Sequence, residues 1–216
     1  MYANDWMTVR EDGIRRADGT GGIYGVVDKP TYALVIPRDD DGRLHLVEQY
    51  RYPVGGRRWE FPAGTAPDRA DVDPAELAVR ELVEETGLAA ARMTLLGTLD
   101  CAPGMSSQRG HVYLATGLTA GPPRREHSEQ DMRAAWFTPD GFEAMVRRGE
   151  LTDAQSLAAW ALLGEAITVT QTIGGAAVLL GLALARQGDR TEQVAQANWP
   201  DVPPVQPSAG QPISRS

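Results

Sequence analysis

Three glutamates, Glu81, Glu84 and Glu85, fall within five residues of one another, directly before Gly87. On a helix that advances about 100° per residue, Glu81 lies ~40°, Glu85 ~80° and Glu84 ~340° from Leu77, so the three carboxylates share one arc. Like charges at this spacing repel, by roughly 0.2–0.5 kcal/mol per pair, and need an offsetting partner. Arg80, four residues from both Glu76 and Glu84, supplies part of it. A hard divalent cation, Mg²⁺ or Mn²⁺, would supply more, because such ions take oxygen ligands and are held by a few carboxylates together with substrate phosphates. The alternative is a solvated acidic face, and the three residues alone leave both open.

The element that must position them is sharply punctuated. Asp73 can cap it, Pro74 suits the first turn, Glu76 completes an Asp-x-x-Glu variant of the capping box, and Gly87 can take the left-handed position after its end. A helix is therefore predicted over Pro74–Thr86, with Ala75, Ala78, Val79, Leu82 and Val83 at about 100–240° as its core face, apart from the carboxylates. Around it, Tyr32–Ile36 and Leu44–Tyr50 read as strands joined through the polar turn 38–42, a central hairpin. Met93–Asp100, His111–Thr116 and Ala134–Phe137 read as further strands. Gly141 to about Leu163 reads as one helix, or two broken near Gly149. The expected fold class is mixed α/β: a mixed sheet between helices over residues 31–163, preceded by a small N-terminal β meander over 1–30.

Composition bounds the function. The chain has 216 residues, 42% hydrophobic and 23% charged, enough for one good core. A net charge of −8 is a poor footing for polyanionic surfaces, so no nucleic-acid partner is expected. Cys101 is the single cysteine, which excludes an internal disulfide and a thiolate metal cage. The first sixteen residues carry no apolar h-region, so a cytoplasmic location is expected. Residues 164–186 form an apolar segment in which 166–185 is uncharged, about the length of a bilayer span. Its Thr, Gln and Gly content favours a helix packed on the domain or a partner subunit over membrane contact. The Pro-rich tail over 187–216 is expected to be disordered.

The string Arg80-Glu81-Leu82-Val83-Glu84-Glu85-Thr86-Gly87-Leu88, preceded by Gly64, resembles the Nudix hydrolase signature G-x5-E-x7-R-E-U-x-E-E-x-G-U, where U is aliphatic. Its second half matches at every fixed position. The first half departs: Arg80 stands sixteen positions after Gly64 rather than fourteen, and Val72 occupies the place of the first Glu, with Asp68 or Asp71 as the available substitutes after a two-residue insertion. The run Leu46–Pro53 with Trp59-Glu60-Phe61-Pro62-Ala63-Gly64 is similar to the ADP-ribose pyrophosphatase branch, as are Pro103, fifteen residues after Leu88, and the segment Gly149–Ser156.

The resemblance implies metal-dependent hydrolysis of the diphosphate bond in a nucleoside diphosphate linked to another group, with ADP-ribose giving AMP and ribose 5-phosphate as the leading case. It implies Mg²⁺ or Mn²⁺ held by Glu81, Glu84, Glu85 and the carbonyl of Ala63, with Arg80 orienting the carboxylates. The branch draws its general base from a distant loop; among Glu126, Glu129 and Asp131, Glu129 is preferred. Where the branch often has an acid after its Pro-Gly turn, this chain has Gln108, one ligand fewer if that acid carries metal. Substrate-side candidates are Arg51, Arg57, Trp59 and Glu60, with Arg58 and Tyr52 beside them: guanidinium forks suit phosphate oxygens, and aromatic rings can stack on a base. His45, His111 and His127 share no ligand spacing, and His45 and His111 on strands read as structural. A homodimer through the N-terminal meander is expected by the same resemblance. Other nucleotide-sugar substrates, and a catalytically silent ligand-sensing module, are the rival readings; the intact Arg80, Glu81, Glu84 and Glu85 count against the second.

Overall fold

The computed structural model describes residues 1–66, 72–125 and 129–164. The chain opens with β1 (Tyr2–Ala3), β2 (Thr8–Arg15) and β3 (Gly21–Asp28), a three-stranded sheet in that order. Strand β2 alternates half-buried and exposed positions along its length, the period of two expected of a one-sided sheet. Two compact units are distinguished: residues 1–11 with 25–163, which hold the core, and a second that includes residues 12–24. Within the latter, Gly19 takes φ 85° in the turn, and the Asp18 carboxylate accepts from the Thr20 N–H at 2.9 Å.

The main unit continues with β4 (Tyr32–Pro37), β5 (Leu44–Arg51), β6 (Gly56–Glu60), β7 (Ala63–Thr65), α1 (Pro74–Thr86), β8 (Leu88–Asp100), β9 (Arg109–Ala120), β10 (Arg133–Phe137), α2 (Pro139–Arg147) and α3 (Ala154–Gly164). Strands β7-β4-β9-β8 form a mixed sheet in which β4 and β9 run parallel, and β10-β5-β6 form a second, antiparallel sheet. Strand β4 is buried at all six positions and divides them by parity. Ala33 and Val35 pack with Leu77, Ala78 and Leu82 of α1. Tyr32, Leu34 and Ile36 pack on the other side with Leu44, Leu46, Phe61 and, from α2 and α3, Phe142, Met145 and Ala159. The mixed sheet thus lies between α1 on one face and the second sheet with α2 and α3 on the other, the mixed α/β class read from the sequence.

Helix α1 begins and ends where its punctuation predicts. The Asp73 side chain accepts from the Ala75 N–H at 2.8 Å, and Gly87 takes φ 73° while its N–H reaches the Val83 carbonyl. A Cβ at residue 87 would stand 2.2 Å from the Gly121 carbonyl oxygen, so glycine is required there by space as well as by φ. Gly149 at φ 72° separates α2 from α3, which settles the expected long helix as two.

Two expectations are corrected. β4 and β5 are not a hairpin: apart from the bridge Arg38–Leu44 they enter different sheets, because β4 has its two edges occupied by β7 and β9. The buried arc of α1 is Leu77, Ala78, Glu81, Leu82 and Glu85, while Val79, assigned to the core face, is exposed. Two of the acids are therefore inside the protein. Strands β6 and β7 were also not foreseen. No helix among the described residues is long and apolar enough to cross a membrane. Residues 165–216, which include the apolar segment and the Pro-rich tail, lie outside the described residues, as do Asp68, Asp71, Glu126 and His127.

Candidate active site

Helix α1 lies against β7, and the contact is close because residue 64 has no side chain. A Cβ on Gly64 would stand 2.1 Å from the Glu81 carboxylate carbon. Glu81 is 7% exposed, ion-paired with Arg80 at 3.1 Å, and its carboxyl is pushed up to about 7 by burial, against the opposing pull of Arg80. Glu84 is more accessible and reaches Arg80 at 3.6 Å, so Arg80 bridges both acids.

Glu85 is 1% exposed, and neither of its carboxylate oxygens has a hydrogen-bond partner among the described residues. Burial, and then the carboxylates of Glu129, Glu81 and Glu60, drive its pKa well above the usual range, with Arg51 as the opposing charge. Glu60, at the end of β6, is held by Arg51 at 2.7 Å, and burial raises its pKa too. Glu129, Glu81 and Glu60 thus lie within electrostatic reach of the buried Glu85 carboxylate, with Arg51 and Arg80 as the opposing charges. Such an arrangement is costly unless protons or a cation complete it.

The donors fit a hard divalent cation: all are carboxylate oxygens, those of Glu85 are unpartnered, and the Gly64 backbone leaves room against Glu81. Among the described residues no three His, Cys, Asp or Glu side chains already stand gathered as a ligand set. Arg80 engages one oxygen each of Glu81 and Glu84, which leaves the second oxygen of each as a further donor.

An open cleft of about 720 Å³ passes this point, and Arg51, Arg58, Glu60, Ala63, Gly64, Glu81 and Glu129 line it. The structure brings these together from β5, β6, β7, α1 and the loop after β9. It does not bring Arg80, Glu84, Glu85, Arg57 or Trp59 to the cleft lining. Arg57 is engaged by Glu48 and Asp131 at 2.8 and 2.6 Å, and Trp59 packs edge-on against Phe137 with centroids 5.0 Å apart. Tyr52 is 86% exposed and stands outside the lining as well.

Several lining residues were not anticipated: Trp6, Lys29, Tyr32, Tyr50 and Asp153. Asp153 accepts from the Ser156 N–H at 2.8 Å, and the buried Ser156 hydroxyl accepts from the Phe61 N–H at 2.9 Å. That bond draws the start of α3 to the Glu60–Phe61 turn, a pairing across 95 positions that no local pattern announces. Gln108 lines the cleft too, and its amide donates to the Pro30 carbonyl at 3.0 Å, a structural engagement in place of a carboxylate.

His45 is set apart from this chemistry. It is buried on β5 with its ring 4.6 Å from Trp136, and burial, then the charge of Arg125, lowers its pKa to about 4. The unfolded chain protonates this imidazole below about 6.5 and the folded chain does not, so its stabilising contribution is whole above that pH and is lost as pH falls toward 4. His45→Phe should therefore gain about 2 kcal/mol on the parent chain between pH 7 and pH 5, read from denaturant midpoints. Identical pH dependence in the two proteins would contradict the assignment.

Comparison with known proteins agrees with this geometry. Residues 28–160 match the NUDIX domain, and residues 1–27 match the nucleoside diphosphate sugar hydrolase N-terminal domain. The chain is 38% identical to an ADP-ribose pyrophosphatase of Mycobacterium tuberculosis over 73% of its own length and 76% of that protein's. It is 30% identical to an ADP-ribose pyrophosphatase of Bacillus subtilis, over 61% and 70% respectively. A crystal structure of an ADP compounds hydrolase superposes with a TM-score of 0.68 at 20% identity, covering 77% of this chain and 89% of the other, a likeness of fold.

Proposed function

The chain belongs to the Nudix family of hydrolases that cleave nucleoside diphosphate compounds, and from that premise we propose that its substrate is ADP-ribose, hydrolysed to AMP and ribose 5-phosphate. The observation that carries the reading is the buried, unpartnered carboxylate of Glu85 one helical turn from Glu81, which lines a cleft that also presents Arg51 and Arg58. The relatives named ADP-ribose pyrophosphatase give the substrate its class.

In this reading Glu81, Glu84 and Glu85, with the Ala63 carbonyl, hold a divalent cation, for which Mg²⁺ is proposed and Mn²⁺ is the alternative. When bound, the cation neutralises charge on the diphosphate oxygens. Arg80, in contact with both Glu81 and Glu84, would orient these two carboxylates toward the cation. Arg51 and Arg58 supply donors to the phosphate oxygens, with Glu60 fixing the orientation of Arg51. Glu129 takes the proton from the attacking water as its oxygen bonds to one phosphorus, while the bridging P–O bond breaks and its electron pair leaves with the phosphate of the other product. Residues 1–11 expose Tyr2, Trp6 and Val9, an apolar edge proposed to pair with a second copy; a dimer mass in light scattering is expected, and a monomer would remove that part of the proposal. A cytoplasmic location is proposed from the single cysteine, a usage that suits a reducing compartment.

The test of substrate is kcat/KM for ADP-ribose beside ADP-glucose, GDP-mannose and UDP-glucose. ADP-ribose is expected to lead the panel. A lead for a hexose conjugate would move the assignment to another nucleotide sugar.

A further inference from the structure

Two described stretches, 124–125 and 129–132, the second of which carries Glu129, are held by arginine side chains, and neither arginine lines the cleft. In the first, Arg125 donates to the Glu85 carbonyl at 3.1 Å and to the Met132 carbonyl, while the Arg124 N–H reaches the Glu84 carbonyl at 2.9 Å. This stretch therefore rests on the last turn of α1. Against the second stands Arg57. It projects from β6, the outer neighbour of β5, and makes four hydrogen bonds: to the Glu48 carboxylate at 2.8 Å, the Glu48 carbonyl at 2.9 Å, the Asp131 carboxylate at 2.6 Å and the Asp131 carbonyl at 2.8 Å.

A guanidinium has five N–H groups, so one group so engaged has little left to offer a phosphate. Two of its contacts, those to Glu48, join adjacent strands of one sheet. The other two reach 74 positions along the chain to a residue that belongs to no strand. Asp131 lies inside a short turn, closed by the Met132 N–H donating to the Glu129 carbonyl at 3.0 Å. A displacement of Asp131 therefore passes to Glu129 with little slack. Glu129 in turn lines the cleft within electrostatic reach of Glu81 and Glu85.

We infer that Arg57 is a positioning residue for Glu129: by gripping Asp131 across β5 it fixes where the Glu129 carboxylate stands over α1. The inference rests on the reading of Glu129 as the base. It reassigns Arg57 from a phosphate contact to a contact that acts through another residue. Charge alone does not suffice for it, because an ammonium, with three donors on one nitrogen, cannot reproduce four contacts made from three nitrogens.

The test is a double-mutant cycle on the full chain with ADP-ribose and Mg²⁺. Arg57→Ala should lower kcat about 10- to 100-fold with KM within about twofold, and the same substitution in a Glu129→Gln background should cost less than about twofold more. Arg57→Lys should recover little of the loss. In the metal-free, substrate-free protein, hydrogen exchange at the Met132 amide should accelerate in Arg57→Ala. Should Arg57→Ala not fold, Asp131→Ala carries the same cycle, since it leaves the Glu48 contacts in place. An undiminished cost in the Glu129→Gln background, a loss confined to KM, or unchanged exchange at Met132 would each overturn the inference. Full kcat in Glu129→Gln alone would instead remove Glu129 as the base, and this inference with it.

Discussion

Glu81→Gln is expected to abolish most hydrolysis while making the metal-free protein more stable at pH 8. The first half follows from charge: the amide keeps the shape but withdraws a negative ligand from the position where the diphosphate must be neutralised, an effect of about 10²–10³ in kcat. The second half follows from burial. The Glu81 carboxyl titrates at about 7 in the folded chain against a usual 4.5. The folded state therefore holds its proton more tightly than the unfolded state does. That preference stabilises the fold fully below pH 4.5 and is lost as pH rises through 7, leaving a buried carboxylate at pH 8. Glutamine has no such loss, so the variant should exceed the parent by an amount on the order of 2 kcal/mol at pH 8 and by little at pH 4.5. Thermal denaturation in chelator at the two pH values measures this. A variant less stable than the parent at pH 8 would show that Glu81 is satisfied within the protein and needs no cation.

Gly64→Ala should be the second large effect, and it separates geometry from charge. The added methyl would occupy the place of the Glu81 carboxylate, 2.1 Å away. Strand β7 is tied to β4 through the Ala33–Gly64 pair, and α1 is fixed by its buried Leu77 and Leu82. The flexible end of Glu81 is what yields. Displacing a reacting group by about 1 Å can cost 10²-fold in rate, and a loss of about that size is expected with only a small change in melting temperature. Gly104→Ala, with nothing within 4 Å of the new methyl, is the control. Full activity in Gly64→Ala would mean that the Glu81 position against β7 does not matter to catalysis.

The parts of this site that could be read from the sequence are those in which local chemistry fixes local geometry. Asp73, Pro74 and Gly87 define α1 because caps and turn residues act within a few positions, and the helix runs over the residues they bracket. The spacing of Glu81, Glu84 and Glu85 placed them on one arc for the same reason. Their burial was not legible: a wheel cannot tell a solvated arc from one covered by a glycine-bearing strand, so Val79 was placed inside and the acids outside. Strands β6 and β7 escaped because Gly-Gly-Arg-Arg and Ala-Gly-Thr carry no apolar alternation, and they form through their partners β5 and β4. Arg57 read as a phosphate contact from its neighbours in sequence. Asp131, 74 positions away, decides otherwise, and only the order β10-β5-β6 brings the two together.

The α1 carboxylates are proposed to form a cation-dependent centre that hydrolyses a nucleoside diphosphate bond. Incubating ADP-ribose with the chelator-treated chain, with and without added Mg²⁺, and resolving the products by chromatography tests it most directly. AMP and ribose 5-phosphate appearing only with the cation is the predicted result. Equal turnover in chelator, or saturable binding of ADP-ribose with no turnover of it or of any nucleotide sugar, would contradict the account.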